Sequence, residues 1–270
     1  MGADIKALRT RIKSVDSTLH LTKAMGLVAS SKIRRANDAM KKGREYTAAL
    51  RGFVDELSYS GECAKSPYMR SRGEDISRTR IIIIAGDRGL AGGYNANVFR
   101  LAANYSGAKF IPIGKRACEN YGAVINSSER YTAMDAYNLA KSLCSDFAAG
   151  EYDRLGIIST EYVSMMTQEA KITWILPLER SEATRSSGMI FEPDEMTVLD
   201  AVMPEYVSGM LVGAIRESFA SEVAARRMAM DSAGKNASAM IDSLQLQYNR
   251  ARQGAITQEI TEIVAGAGEQ

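Results

Sequence analysis

The chain has 270 residues and a mass of 29.4 kDa, enough for one large domain or two ordinary ones. Its 34 Lys and Arg nearly balance its 32 Asp and Glu, and the 46% of hydrophobic residues is typical of a protein that buries a core. The single histidine, His20, excludes sites that need two imidazoles, including most catalytic zinc centres. Cys63, Cys118 and Cys144 form no C-x-x-C pair, so they predict buried thiols in a reducing compartment.

All prolines lie in the middle of the chain, and they are Pro67, Pro112, Pro177, Pro193 and Pro204. Because proline removes a backbone donor and interrupts helices, the proline-free flanks predict two long helical arms. No apolar run approaches the roughly 20 residues of a membrane span. We therefore expect no direct membrane insertion.

The N-terminal arm has a coiled-coil repeat. Its apolar or small residues step by alternating 3 and 4, a spacing that keeps one stripe of a helix against a partner helix. The stripe becomes small at Gly26 and Ala29, which allows close approach, and the other faces are basic. The stripe is Ile5, Leu8, Ile12, Val15, Leu19, Thr22, Gly26, Ala29, Ile33, Ala36, Met40 and Gly43.

The C-terminal arm is expected to be helical from about Glu205 to the end. Glycines interrupt it, each at a cost of about 1 kcal/mol relative to alanine, but good helix formers dominate the rest. About sixty residues would give a helix of roughly 90 Å, longer than a normal domain is wide. Its stripe is Val207, Leu211, Ile215, Phe219, Ala233, Ala237, Met240, Leu244, Gln247, Ala251, Ile256, Ile260 and Ile263.

Such long helices with thin apolar stripes need a partner, because an isolated helix is marginal in water. The preferred prediction is that the two arms wind around each other in antiparallel fashion, with the longer C-terminal arm extending past the other. An ordinary helical bundle and dimerisation through the arms remain alternatives.

The middle of the chain alternates strand and helix signals, which predicts a mainly parallel sheet covered on both faces. The β-branched run Ile81–Ala85 is typical of a strand buried on both sides. The other predicted strands are 109–113, a weak one near Val124, 155–159 and 171–176. The predicted helices are 95–105, 115–121 and 135–147.

A glycine-rich loop, 86–95, follows the first strand and precedes a helix, and it contains Gly86, Asp87, Arg88, Gly89, Gly92 and Gly93. A loop in this position can cradle a phosphate. However, it matches neither G-x-G-x-x-G nor the P-loop pattern. We therefore expect a structural turn or a surface for another subunit, with no bound cofactor, and interpret Asp87 and Arg88 as a local ion pair.

No catalytic constellation is evident. His20 lies on the N-terminal arm without matching Asp and Ser or Cys partners, there is no G-x-S-x-G, and no pair of carboxylates stands out. We expect neither a catalytic site nor a metal site.

The chain resembles the gamma subunit of bacterial F-type ATP synthases in three ordered motifs. The first lies within 5–32 and includes Thr22-Lys23-Ala24-Met25, and the second is the glycine loop. The third, in the C-terminal arm, includes Ser221-Glu222, Arg252-Gln253, Ile256-Thr257 and 259–264. The resemblance is dense in both arms and sparse from 58 to 78 and from 180 to 187.

This chain also departs from the family pattern. Gly86 stands where the family usually has Ser or Thr, and Ala91 where it often has Cys. Val223 and Arg227 replace a more usual His and Met, and the end from Gly266 to Gln270 is unusually polar. The cysteine-containing regulatory insert of plastid members is not evident, so thiol control is not expected.

The resemblance implies a central-stalk rotor that couples ion-driven rotation of the membrane c-ring to sequential changes at the beta-subunit catalytic sites. It implies alpha, beta, epsilon and c-ring partners, no nucleic acid, and a peripheral location on the cytoplasmic face of the cell membrane. It places Arg252, Gln253 and Thr257 against beta-subunit loops at the shaft tip. It places Met25 near the acidic lever of beta, with candidate cations Lys23, Lys32, Arg34 and Arg35.

The resulting fold class is α/β, with a long antiparallel coiled coil of the terminal helices and a central Rossmann-like sheet domain. The predicted division is an N-terminal helix at 1–58, a linker at 59–78, the sheet domain at 79–190, a linker at 191–204 and a C-terminal helix at 205–270. The rival interpretations are a nucleotide-binding α/β enzyme with a coiled-coil oligomerisation arm and a nucleic-acid-binding coiled coil. The balanced charge of the C-terminal arm and its few aromatics disfavour the second rival.

Overall fold

The computed structural model describes residues 2–71, 73, 75–179 and 189–267. Residues 180–188 of the predicted sheet domain and the last residues of the polar end, 268–270, lie outside this range. The chain divides into two compact units. We call residues 1–29 and 227–270 the arm unit, and residues 30–226 the sheet unit.

The described residues of the sheet unit form a four-stranded sheet. Its strands are β1 (Thr79–Ile84), β2 (Lys109–Ile113), β3 (Arg154–Tyr162) and β4 (Gln168–Leu176), in the order β2-β1-β3-β4. β1 is parallel to both β2 and β3, whereas β4 pairs antiparallel with β3, so the mainly parallel sheet is confirmed. The prediction of a weak strand near Val124 is wrong. This residue lies in a loop and is 90% exposed, so its side chain gains no burial that would stabilise a strand.

Helices cover both faces of the sheet. Ile81 and Ile83 point into a cluster with α2 (Tyr94–Ala103) and α3 (Lys115–Tyr121). Ile82 and Ile84 point the other way, into the larger cluster with α4 (Ala133–Ala148) and parts of the two longest helices. Because successive strand side chains alternate faces, both faces of β1 must be apolar, which explains the uninterrupted isoleucine run.

The two longest helices are α1 (Gly2–Ser58) and α5 (Glu195–Ala267). Every predicted stripe position of α1 is buried or half-buried, and the fully buried ones include Thr22, Gly26, Ala29, Ala36, Met40 and Gly43. The stripe of α5 is less regular: Val207, Leu211 and Leu244 are buried, but Met240 and Gln247 are exposed. The coiled-coil repeat therefore predicted the α1 contacts better than those of α5.

α5 begins at Glu195 rather than near Glu205, so the predicted linker at 191–204 is too long. Asp194 starts the helix: its carboxylate accepts hydrogen bonds from the N–H of Thr197 at 2.8 Å and from its hydroxyl at 2.8 Å. Pro204 lies inside the helix and deprives it of one backbone bond. Burial of Leu199, Met203 and Val207 around the proline stabilises the helix across that gap.

The helices pair in antiparallel fashion within each unit. In the sheet unit, a β-carbon built on Gly213 would lie 2.5 Å from Thr47 Cγ2, and one on Gly43 would lie 3.4 Å from Arg216 Cδ. In the arm unit, Gly26 faces Met230, and Gly234 faces Thr22 at 3.6 Å. Small residues on both helices therefore allow the close approach that the sequence indicated.

One described helix, α5, contains an 18-residue stretch that is apolar enough to cross a membrane by length and composition, with mean hydropathy 1.4. This corrects the expectation that no stretch would qualify. Half of that stretch is buried inside the protein.

The cysteines are packing residues. Cys63, Cys118 and Cys144 are free thiols and all three are buried. Burial raises the pKa of the Cys144 thiol to about 12, and desolvation also raises that of Cys63. Residues 59–78, predicted as a linker, form short 3-10 turns that place Cys63 and Tyr68 in the core.

Candidate functional site

The glycine loop lies after β1, at the carboxyl edge of the parallel strands, and its own contacts hold it. Asn95 Oδ1 accepts from the Gly86 N–H at 2.9 Å, and Asn95 Nδ2 donates to the Arg88 carbonyl at 3.2 Å. Leu90 has φ of 59°, an uncommon conformation for a bulky residue. Its side chain is 64% exposed, so the loop presents an apolar residue outward.

Asp87 anchors a neighbouring loop rather than pairing with Arg88. Its carboxylate accepts from the N–H groups of Ser128 at 2.9 Å, Lys115 at 3.1 Å and Glu129 at 3.3 Å, and from the hydroxyls of Ser127 and Ser128. Burial raises the pKa of Asp87, but the hydrogen bonds from these donors together lower it by more. The pKa therefore lies below the ordinary value of an aspartate. The predicted ion pair with Arg88 is replaced by this set of donors.

A buried ion pair on α5 meets the glycine loop from the other side. Arg226 donates from Nη2 to Glu222 Oε1 at 2.6 Å and to the Gly89 carbonyl at 3.2 Å. Glu222 is 5% exposed, and burial raises its pKa although the Arg226 charge opposes the shift. The sequence motif contained Glu222 but predicted no role for it. The Glu-x-x-x-Arg spacing, which brings the two side chains together on one helix face, was the available signal.

The predicted tip residues lie near the end of α5 in the arm unit. Arg252, Gln253 and Thr257 are all exposed, and the Thr257 hydroxyl bonds the Gln253 carbonyl at 2.9 Å. Ile256 and Ile260 beside them are 47% and 56% exposed. This part of α5 thus exposes both polar and apolar side chains.

The predicted lever residues fall in both units. Met25 is half-buried and Lys23 is exposed in the arm unit, whereas Lys32, Arg34 and Arg35 belong to the sheet unit. Arg34 and Arg35 are exposed. Lys32 instead pairs with Glu129 at 2.6 Å, with its ammonium 5.8 Å from the centre of the Phe219 ring. Of these cations, Lys32 is therefore committed to an internal contact.

Arg227 is an additional cation that the sequence noted only as a departure. A β-carbon on Gly26 would lie 3.0 Å from its Nη1, so the guanidinium covers the glycine on the facing helix. It lines a groove of about 270 Å³ in the arm unit together with Lys23, Thr22, Met230 and Gly234. Lys235 and Asp231 line the same groove, so it carries charges of both signs.

Among the described residues, no group of three His, Cys, Asp or Glu side chains is arranged to hold a metal ion. His20 has 76% of its side chain exposed and lies 3.7 Å from Asp16 on the same helix, which is consistent with a solvated residue.

The fold combines a mainly parallel sheet with two long antiparallel helices, and known proteins of one class match nearly the whole chain. A sequence profile of the family described as ATP synthase matches residues 4–268. The ATP synthase gamma chain of Ruminococcus albus is 40% identical, covering 97% of this chain and 96% of the relative. That of Alkaliphilus metalliredigens is 38% identical and covers 99% of each. A gamma chain of Acetobacterium woodii described as sodium ion specific is 36% identical.

The fold comparison agrees. A chain from the mitochondrial ATP synthase of Euglena gracilis aligns with a TM-score of 0.67 at 17% identity, covering 98% of this chain and 94% of the other. A chain from the Tetrahymena thermophila central stalk and c-ring aligns with a TM-score of 0.60 at 22% identity, covering 79% and 99%. This chain belongs to the gamma chain family of ATP synthases.

Proposed function

We propose that this chain is the central-stalk rotor of an F-type ATP synthase. It would couple ion-driven rotation of the membrane c-ring to sequential conformational changes at the beta-subunit catalytic sites, or pump ions when ATP hydrolysis drives the reverse rotation. The observation that carries the proposal is the match to gamma chains over nearly the full length of the chain and of its relatives.

The geometry of the arm unit supports this proposal. A rotor biases one catalytic site against another only if it makes different contacts with each, because equal contacts shift no equilibrium. Two helices of unequal length provide such a difference. The exposed Ile256, Ile260 and Ile263 continue past the buried part of the stripe and offer an apolar surface to surrounding subunits.

In this proposal the chain performs no chemistry of its own and binds no cofactor. Its partners are the alpha and beta subunits, the epsilon subunit and the c-ring, with neither nucleic acid nor direct membrane insertion. The chain would lie on the cytoplasmic face of the cell membrane as a peripheral subunit. The five-part division predicted from the sequence remains part of the proposal, although α5 begins at Glu195, within the predicted second linker.

Two sets of side chains would contact beta. Arg252, Gln253 and Thr257 are exposed donors and acceptors near the end of α5, suited to backbone and side-chain groups of surrounding loops. Met25, Lys23, Arg34 and Arg35 would face the acidic lever, whereas Lys32 must first leave Glu129. The glycine loop, with Leu90 and Arg88 outward, is a further subunit surface.

Co-purification tests the proposal. Expressed with alpha and beta subunits, the chain should be recovered as one copy in a ring complex with high ATPase activity. A stable catalytic ring that never retains the chain would overturn the rotor assignment.

A paired variant tests the tip contacts. Arg252→Ala with Gln253→Ala should lower turnover or coupling without changing the fold, because both side chains are exposed. Arg250→Ala with Asn249→Ala, two exposed residues of the same helix, is the matched control and should be nearly silent. Equal effects of the two pairs would remove Arg252 and Gln253 from the contact set.

The alternative, a nucleotide-binding enzyme built on the sheet, is disfavoured by the glycine loop itself. The Gly86 N–H is already bonded to Asn95, and a β-carbon on Gly86 would meet the Glu222 carboxylate, so a buried negative charge lies where an enzyme would approach a phosphate. Equilibrium binding of ATP or NAD to the free chain should be undetectable. Saturable binding lost on Arg88→Ala would favour the alternative.

A further inference from the structure

Polar side chains on α5 form a buried line of contacts to the carboxyl edge of the sheet unit. Ser218 and Ser221 are 1% and 0% exposed, and Glu222 is 5% exposed. Ser218, Glu222 and Arg226 are spaced four residues apart, as are Glu217 and Ser221, so these two adjacent rows lie along one side of the helix. We call Glu217, Ser218, Ser221, Glu222 and Arg226 the polar seam.

Four members of the polar seam form hydrogen bonds to groups outside α5. The fifth, Glu222, accepts a hydrogen bond from Arg226, which is one of those four. The Ser218 hydroxyl accepts from the Thr160 N–H at 3.0 Å, and the Ser221 hydroxyl donates to the Thr160 carbonyl at 3.2 Å. Thus both backbone groups of one residue near the end of β3 are held by α5.

The two ends of the polar seam extend this grip. Glu217 accepts from the Tyr162 N–H at 3.2 Å and from Arg44 of α1 at 2.5 Å, while Arg44 also bonds the Tyr162 carbonyl at 2.7 Å. At the other end, Arg226 joins Glu222 to the Gly89 carbonyl of the glycine loop. β3, α1 and the glycine loop are therefore all tied to one side of α5.

The earlier part of α5 is held differently. Leu199, Met203, Val207, Leu211 and Ile215 pack it against the core through apolar contacts. Hydrophobic attraction is non-directional, so such contacts tolerate a small rotation or slide of a helix. Hydrogen bonds weaken steeply when their angles change, and a buried polar group that loses its partner is costly. The polar seam therefore fixes the rotational position of α5 where apolar packing alone would not.

We propose that the polar seam is a set of positioning residues that prevents α5 from turning or sliding against the sheet unit under load, so that torque passes between them without slip. This rests on the rotor function proposed above. The seam ends at Arg226, the last residue of the sheet unit, where the helix continues as part of the arm unit. A helix that carries torque out of the sheet unit must be held against rotation where it leaves that unit.

The proposed positioning role explains why α5 carries the buried ion pair Glu222–Arg226 here instead of apolar side chains. A buried ion pair is weak support for stability, and well-packed apolar replacements are often as stable or more so. However, an ion pair with hydrogen bonds requires one particular geometry, whereas apolar contacts do not. Replacing the pair should therefore separate stability from torque transmission.

The test uses Glu222→Met with Arg226→Met in the assembled complex, reconstituted in sealed lipid vesicles. Removing both partners together leaves no buried charge unpaired, so we expect assembly and thermal stability close to wild type. Ion pumping per ATP hydrolysed should fall severalfold. In parallel, amide hydrogen exchange in the glycine loop should accelerate while that of β1 stays slow.

Leu211→Ala is the matched control, because it weakens the apolar grip on the same helix and leaves the polar seam intact. It should lower thermal stability with little change in the ratio of pumping to hydrolysis. Arg226→Lys, which keeps the charge beside Glu222, should retain more coupling than the double variant.

Two results would overturn the inference. The first is a double-methionine complex that pumps as efficiently as wild type, and the second is a loss of coupling that merely follows the loss of thermal stability in all variants. Failure of the rotor function itself looks different: the wild-type chain would be absent from the complex. That outcome would reject this inference as well, since the seam would then transmit no torque.

Discussion

The carboxylate of Glu222 fills the space beside Gly86 where any other residue would place its side chain: a β-carbon built on Gly86 would lie 2.8 Å from Glu222 Cδ. The absence of a side chain at Gly86 thus permits the close approach of a buried acid. The glycine is required here by space, since its φ is not among the left-handed ones.

Gly86→Ala should therefore destabilise the protein by about 1–3 kcal/mol, because the added methyl must push Glu222 away from Arg226. Gly52→Ala is the control: a β-carbon there meets nothing within 4 Å, and the helix should gain about 1 kcal/mol. Denaturant unfolding of both variants measures the difference. A neutral Gly86→Ala would mean that Glu222 moves freely.

Asp87 should make stability depend on acidic pH. Its folded pKa lies below the ordinary value of 3.8, so its contribution is fully present above that pH and is lost as the pH falls through the lower folded pKa. Asp87→Asn should be destabilising near neutrality, by about 1–3 kcal/mol for lost charge-assisted bonds. The gap between wild type and variant should close in strong acid. A gap that is constant from neutral to strongly acidic pH would contradict the assigned donors.

Gly213 and Gly234 should respond oppositely to alanine although both lie inside α5. At Gly213 the new β-carbon would meet the stiff Thr47 side chain at 2.5 Å, and the expected cost is about 1–3 kcal/mol. At Gly234 the nearest atom is 3.6 Å away, so helix propensity dominates and stability should rise by about 1 kcal/mol. The unfolding midpoints of the two single variants measure these changes. If both variants were stabilised, or both destabilised, the predicted difference between the two sites would be contradicted.

Lys32 should behave differently from Arg34 and Arg35. Its partly exposed pair with Glu129 should give a coupling energy of no more than about 1 kcal/mol in a Lys32→Gln, Glu129→Gln double-mutant cycle. Arg34→Gln with Arg35→Gln should leave stability nearly unchanged and weaken torque transfer to an acidic partner, more so at low salt. If Lys32→Gln impaired the complex as strongly as the arginine pair, its contact with Glu129 would have to open on assembly.

Local spacing predicted much of the fold. The 3-and-4 repeat identified each stripe residue of α1, because a helix that packs along its whole length repeats one simple constraint. The runs 109–113 and 115–121 coincide with β2 and α3. In contrast, Pro204 led the start of α5 to be placed too late, since the capping contact of Asp194 and the packing of Leu199 outweigh one missing hydrogen bond.

The tertiary contacts of charged groups were not predictable in the same way. Asp87 was assigned to its sequence neighbour Arg88, yet it binds the loop at 127–129, brought near only by the parallel order of the strands. Likewise Lys32 reaches Glu129, and Arg226 reaches Gly89. Such pairs depend on the meeting of distant segments, about which a local repeat contains no information.

The burial of all three thiols makes the chain well suited to site-specific labelling. A maleimide dye reacts with exposed thiolates, and the native cysteines are both covered and, for Cys63 and Cys144, held in the thiol form. A single cysteine introduced at an exposed position such as Lys109 would then be the preferred attachment point on the folded protein. Fluorescence could follow the orientation of the sheet unit in real time without first rebuilding its core.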